Sequence, residues 1–491
     1  MKIINSAELS PGLLAGLGET IKLWIYNGLD CGVTLEVFHA IHPQLDNITA
    51  STYEFSKALQ GPVLEMNMRG VLIDESTRQK TIAAFEADVA ALSASLQEIL
   101  LGGLGVSLNH RSVAQLKTLF YETLQLPPVK KRNDKGQYVP TVNREALEKL
   151  SSYFQAEVIV NHILALRDLE KKISALKTEV DPDGRMRTSY NIGGTTTGRF
   201  SSSMNDMGAG GNLQNIEERL RSCYVADPGM KLAYIDLEQA ESRAVGAICW
   251  NLFGASRYLD ACESGDLHTN VTKMCFSELP WVGTPKEDKA IAERPFYRQH
   301  SYRHMCKVLG HGSNYRGTPY TMAKHTKIEQ SAVANFQTRY FAGFPELPMW
   351  HEVKRAELRG SGKLTSLMNR RRSFFGRRDD DATLREAIAF DPQSSVADIL
   401  NTALLKVWRS GKVILLLQIH DAILVEYPEE REDELIPELL EMMKVPVELR
   451  SGRVLTIPAE AKTGWSWANA NETNPNGLIK YKGHDNRRRS R

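Results

Sequence analysis

The stretch KVILLLQIHDAILVEYP, residues 412–428, constrains this chain more than any other. Val413 to Ile419 is rich in Leu and Ile, Ile423 to Val425 returns to the same character, and Pro428 closes the segment. Two short apolar runs around a polar pair predict a strand–turn–strand hairpin with His420 and Asp421 at its tip. An aspartate there is either a turn-former, its commonest role, or half of a reactive site. A second carboxylate in a like position would favour the latter. MKLAYIDLEQAESRAVGAI (230–248) supplies one: Leu232 to Ile235 reads as a short strand, Glu238 onward has helical spacing, and Asp236 sits at the switch. Two such carboxylates on neighbouring strands could hold hard divalent cations, which prefer oxygen ligands and share them with phosphates. A metal pair about 4 Å apart activates an attacking oxygen and stabilises a leaving one in phosphoryl transfer. Spacing alone does not make the strands neighbours.

YRHMCKVLGHGSNYRG (302–317) is the second strong signal. Arg303, Lys307, His311 and Tyr315 recur every four residues, a slowly drifting helical stripe about 18 Å long. A solvated charged face is the ordinary reading of such a stripe. This one runs from two cations to two rings, which is the order of chemistry along a nucleotide: Arg and Lys suit a triphosphate, and a ring stacks on base or sugar. Gly310 and Gly312 weaken the helix by up to about 1 kcal/mol each relative to Ala, which suggests that something approaches the backbone closely.

The chain has 491 residues, 42% of them hydrophobic, enough for about three domains. Its net charge of +2 names no partner. Six cysteines with no Cys-x-x-Cys pair argue against a zinc site or disulfide scaffold and suit a reducing compartment. No apolar run approaches the ~20 residues that span a bilayer. The N-terminal stretch carries Glu8 and Glu19 and lacks a secretory core. These features predict a soluble, cytoplasmic chain with no membrane partner, in the host cytoplasm if it is phage-encoded.

Spacing predicts a long amphipathic helix from Glu75 to Leu104 and more helix over 143–178. LPPVKKRNDKGQYVP (126–140) reads as a Pro-bounded loop with a basic cluster. NIGGTTTGRFSSSMNDMGAGGNLQN (191–215) has the composition of a linker, but a linker rarely carries a lone Arg199 or ends in NLQNI. Residues 285–345 read as helical and basic. LMNRRRSFFGRRDDD (367–381) packs five Arg and two Phe into a short span, and HDNRRRSR at the end reads as a solvated tail.

Taken together these segments resemble the family A DNA polymerases, the bacterial DNA polymerase I type and its phage relatives. The motifs stand in the family's order: MNMRGVLID (66–74), TTTGRFSS (195–202), NLQNI (212–216), IDLEQAESR (235–243), DLH (266–268), RHMCKVLGHGSNYRG (303–317), REAIAFDPQSSVADI (385–399) and IHDAILVE (419–426). The resemblance covers about residues 60–470. It implies an α+β right-hand polymerase fold, with an antiparallel β-sheet palm, helical fingers and a helical thumb. The expected segments are a vestigial exonuclease-like stretch (1–60), palm base and thumb (61–185), palm with the first carboxylate (186–250), fingers (251–384), and palm with the second carboxylate and a basic tail (385–491).

By that resemblance Asp236, Asp421 and the Leu237 carbonyl hold two Mg²⁺, with Mn²⁺ as an alternative, and Lys307 joins the two aspartates in catalysis. Arg303, Lys307 and His268 face the nucleotide phosphates, with His311, Tyr315 and Gln239 completing the dNTP site. Glu241 matches the steric gate that pairs with the tyrosine and excludes a ribose 2′-hydroxyl. Arg199, Asn212, Gln214, Arg243, Arg385, Gln393 and His420 fall where the family touches DNA. Arg and Gln donors can test the degenerate minor-groove acceptors without demanding a sequence. The run Arg370, Arg371, Arg372, Arg377 and Arg378 is expected on template phosphates, against the plain alternative of a solvated loop. The implied partners are primer–template DNA and dNTPs, with a separately encoded exonuclease or a processivity factor as further candidates.

The chain departs from the pattern in four places. Ala422 replaces the glutamate of His-Asp-Glu, and Glu426 cannot substitute because four strand residues span about 13 Å. His311 stands where the family has Phe or Tyr, a ring that influences dideoxynucleotide discrimination, and Arg316 stands where it has Gly. YNGLDCGVTLEVF (26–38) resembles the last exonuclease motif, with Tyr26 and Asp30, but the preceding exonuclease motifs do not fit before it, so no proofreading is expected. The rival readings are a DNA-binding protein that kept the fold and lost catalysis, motivated by Ala422 and His311, and a single-subunit RNA polymerase, disfavoured by Glu241.

Overall fold

The computed structural model describes residues 16–205, 210–297 and 300–483. The basic tail (484–491) and part of the Gly-rich stretch (206–209) lie outside the described residues. The chain divides into two compact units: one comprises residues 61–240, 399–446 and 456–491, the other 1–60, 241–398 and 447–455.

The first unit is built on an antiparallel five-stranded sheet. Its strands are β1 (Met230–Leu237), β2 (Ile414–Ile419), β3 (Ala422–Pro428), β4 (Ala459–Gly464) and β5 (Ile479–Lys480), in the order β2-β3-β1-β4-β5. β3 is buried from Ala422 to Tyr427, as a continuous apolar run in a central strand should be. The helix Glu432–Met443 packs on β3 and β4 through Leu435, Ile436, Leu439 and Met443. The same unit holds α1 (Glu75–Leu104) and α2 (Phe154–Leu176), which pack along each other. Leu96 and Leu100 of α1 join Ile159, Val160, Ile163 and Leu166 of α2 in one core. Asp74 caps the start of α1 through the N–H groups of Ser76 and Thr77, and Gly105, at φ 67°, ends it in the left-handed conformation that favours glycine. By length and composition α1 could cross a bilayer, although here it buries Ile82, Phe85, Leu96 and Leu100 in protein. The basic loop is a short hairpin, Lys130–Arg132 with Tyr138–Pro140, exposed throughout.

The second unit is helical. α3 (Ala240–Phe253), α4 (Leu267–Cys275), α5 (Tyr302–Asn314), α6 (Gln330–Gly343) and the first half of α7 (Asp381–Ser410) surround a core that includes Tyr258, Tyr340, Phe344, Trp350 and Phe390. Two ion pairs to buried carboxylates fasten α7. Lys354 meets Asp391 at 3.0 Å and Arg370 meets Asp398 at 2.7 Å. The unit limits differ from the expected segments: the helical unit takes 241–398 rather than 251–384 and regains 447–455. That last segment belongs there because its polar groups find partners in the unit. Trp250 Nε1 donates to the Arg450 carbonyl at 3.0 Å, and Arg453 donates to Asp260 at 2.9 Å. Tyr26 and Asp30 fall on one exposed helix, Glu19–Ile41, which has no buried residue.

Candidate active site

The two aspartates meet in the sheet unit. β1 and β3 pair so that Asp236 faces Ala422, and the Leu237 N–H donates to the Asp421 carbonyl at 3.2 Å. The carboxyl of Asp236 is held well above the ordinary carboxylate range, first by burial and then by the negative charge of Asp421, with Lys462 opposing and Glu460 reinforcing. Two carboxylates that resist ionising together, presenting only oxygen, suit a hard divalent cation completed by carbonyl, water and phosphate oxygens. Among the described residues no group of three or more His, Cys, Asp or Glu could hold a metal. Ala422 stands opposite Asp236 on β3 and offers no carboxylate, and Glu460 stands opposite it on β4 but bonds Lys480 at 2.6 Å. Glu426 lies opposite Leu232, where it accepts the Asp227 N–H at 2.5 Å.

A buried polar network underlies the hairpin tip. His420 takes a left-handed φ of 54°, unusual for a residue with a Cβ. Gln418 Nε2 donates to the His420 carbonyl at 2.8 Å, Gln214 Nε2 donates to Gln418 Oε1 at 2.9 Å, and the Tyr190 hydroxyl donates to the Gln418 carbonyl at 2.9 Å. Gln214 was expected on DNA, yet it is buried and spends its amide on this network. The hydroxyl of Ser202 donates to Asn212 Oδ1 at 2.8 Å. Arg199 is half-buried in the turn after Gly198, His420 is exposed, and the Gln239 Oε1 is buried with no hydrogen-bond partner.

In the helical unit α5 buries Met305, Cys306, Leu309, Gly310 and Ser313, which leaves Lys307 and His311 exposed on the opposite face and Arg303 and Tyr315 half-buried. Arg303 is held by Asp266, with Nε to Oδ2 at 2.6 Å and Nη2 to Oδ1 at 2.9 Å. This grip keeps the Asp266 carboxyl at about 2 against the opposing effect of burial. His268 is pushed down to about 4, first by burial and then by the Arg303 charge, so it is neutral at pH 7. The Tyr315 hydroxyl donates to Glu241 at 2.7 Å, and His311 Nε2 lies 3.9 Å from the same carboxylate with its ring edge-on to Tyr315. The two glycines have a packing cause rather than a ligand: a Cβ would lie 3.4 Å from the Tyr340 ring at Gly310 and 2.9 Å from Met322 at Gly312. Arg316 carries a left-handed φ of 58°, a backbone conformation that glycine adopts freely.

Several residues expected on DNA have partners within the protein. Arg243 is buried on α3, 7% exposed. In the arginine run, Arg370 grips buried Asp398, Arg371 pairs with Asp46, Arg372 meets Glu386 at 2.7 Å and stacks over Phe374, and Arg378 donates to the Gly360 carbonyl at 2.9 Å. Arg377 is exposed. Arg385 pairs with Asp381, and Gln393 is half-buried on α7. A sequence shows the cations but not which carboxylates meet them: Asp398 is buried, whereas Asp46, Glu386 and Asp381 lie at the surface.

Residues 75–469 match the family model described as DNA polymerase family A. The thermostable DNA polymerase I of Thermus filiformis is 28% identical over 446 residues, which is 85% of this chain and 49% of that protein. The DNA polymerase I of Rhizobium leguminosarum is 26% identical over 472 residues, 90% of this chain and 43% of that protein. The chain thus spans about half the length of the curated relatives it matches. Among solved structures, the polymerase domain of Pol1 from M. smegmatis, in complex with DNA primer-template and dNTP, aligns with a TM-score of 0.67 at 24% identity. The alignment covers 84% of this chain and 70% of that one.

Proposed function

The chain belongs to DNA polymerase family A, and from that premise we propose that it extends a DNA primer along a template with dNTPs by two-metal phosphoryl transfer. Its α+β architecture is the right-hand polymerase fold. The observation that carries the reading is the meeting of Asp236, on β1, with Asp421, in the β2–β3 turn: two adjoining acidic groups that oppose one another's ionisation, an arrangement a divalent cation would relieve. Asp236, Asp421 and the Leu237 carbonyl would hold two Mg²⁺, or Mn²⁺ in their place. Bound there, the ions would lower the pKa of the primer 3′-hydroxyl and neutralise charge on the departing pyrophosphate.

The protein's own groups do the rest. Lys307 and Arg303 bind and orient the triphosphate, and neutral His268 adds a hydrogen-bond donor. Glu241, fixed by the Tyr315 hydroxyl at 2.7 Å, blocks the space of a ribose 2′-hydroxyl and selects deoxynucleotides. His311 and Tyr315 supply the ring surface, and Gln239, three residues after Asp236, carries a buried, unsatisfied oxygen. Arg199, Asn212, Gln393, Arg385 and His420 are the remaining candidates for DNA contact. Gln214 and Arg243 act from beneath the surface. No exonuclease activity is assigned to Tyr26 and Asp30.

Primer extension with Mg²⁺ tests the reading. The wild-type protein should lengthen a labelled primer with dNTPs but not with ribonucleotides alone, and Asp236→Asn should lose at least about 10³-fold in rate. Wild-type protein that binds primer–template yet never lengthens it would leave a DNA-binding protein with the polymerase fold.

A further inference from the structure

Arg303 and His268 are assigned to nucleotide phosphates by the polymerase reading, and the present inference rests on that reading. The two residues sit on different helices, Arg303 in the first turn of α5 and His268 in the first turn of α4. A single carboxylate joins them. Asp266 is the N-cap of α4: Oδ1 accepts the His268 N–H at 3.3 Å and Oδ2 accepts the Thr269 hydroxyl at 2.7 Å. The same oxygens take the Nε and Nη2 of Arg303 at 2.6 and 2.9 Å. Glu293 stands on the other flank, accepting Arg303 Nη1 at a long 3.4 Å and the hydroxyl of Ser301, the N-cap of α5, at 3.0 Å.

A guanidinium offers five N–H donors in a fixed planar fork. Asp266 occupies the Nε–Nη2 edge, so the end-on edge remains for an anion, with Glu293 reaching it at a long 3.4 Å. The side chains of Arg303 and Asp266 are about three-quarters buried, which keeps the pair from exchanging freely with water. We propose that Asp266 is a positioning residue of the nucleotide site: it locks the Arg303 guanidinium and the turn bearing His268 into one rigid donor set for the triphosphate. Without it the long arginine side chain regains its rotamers, and each binding event must order it again. The neutralised charge on Arg303 weakens long-range attraction, but Lys307, exposed one turn further along α5, restores it.

Asp266→Asn isolates the effect, because Asn caps a helix as well as Asp does while the charge is removed. In steady-state primer extension its KM for dNTP should rise about tenfold while kcat stays within about threefold. Inorganic pyrophosphate binding to the full chain, measured by calorimetry, should weaken in parallel. Thr269→Val, which strips a cap bond and leaves the ion pair, should change neither value. An Asp266→Asn protein with wild-type KM and pyrophosphate affinity would reduce Asp266 to a plain helix cap. A lower KM would make it a competitor of the triphosphate, and either result overturns the proposal. If Asp266→Asn does not fold, Asp266→Ser keeps a capping oxygen and takes the same readouts. Wild-type protein that fails to extend primers would sink the polymerase reading, while the pyrophosphate comparison would still decide the role of Asp266.

Discussion

His268 shows how far one side chain is set by its surroundings. Burial first, then Arg303 and Lys307, hold it at about 4, against 6.5 when it is free. The sign follows from linkage: as pH falls below 6.5 the unfolded chain takes up a proton that the folded protein refuses until about 4, so stability is lost over that window. His268→Gln removes this loss, up to about 3 kcal/mol between the two pH limits. Chemical denaturation at pH 7 and pH 4.5 measures it, and parallel pH profiles for the two proteins would contradict the shift. At the same scale, the sequence made Glu241 and Tyr315 legible as a pair, and the structure joins them at 2.7 Å. It could not show His311 at 3.9 Å from the same carboxylate, because that approach depends on how α3 and α5 pack.

Among the elements, α1 runs from Glu75 to Leu104 as its spacing predicts, and the β2–β3 hairpin closes on His420 and Asp421. Both depend on short-range rules, helical spacing and short apolar runs around a turn, which a sequence carries in full. α7 is different. Its stability leans on Lys354 and Asp391, each at most 5% exposed, with Asp391 Oδ1 also accepting the Leu367 N–H at 3.1 Å. Removing one partner strands a buried charge: Lys354→Met should cost about 3–5 kcal/mol in urea unfolding, and the double variant Lys354→Met/Asp391→Leu should recover most of it. Equal losses in single and double variants would show that the pair is not acting as a unit. Nothing in the local sequence links the two residues, since their contact spans the loop and hairpin between the helices.

For the whole molecule, a net charge of +2 is close to neutral, so any hold on DNA under the proposed function would rest on local patches. The arginine run is mostly spent on internal carboxylates and carbonyls, so its members should separate by experiment. Arg377→Ala should lower the salt slope of primer–template binding by about 1, whereas Arg370→Met should leave the slope alone and reduce stability. A reduced slope for Arg370→Met, measured by fluorescence anisotropy across salt, would return Arg370 to the phosphate contacts. By itself the sequence carried the main elements, the order of the motifs and the candidate reactive groups, because periodicity and turn chemistry act over a few residues. Only the tertiary structure decided that Asp236 and Asp421 adjoin, that Gln214, Arg243 and Arg370 turn inward, that 447–455 rejoins the helical unit, and that Asp266 holds Arg303. Those outcomes depend on which polar groups burial forces to find partners, and the partners lie far away along the chain.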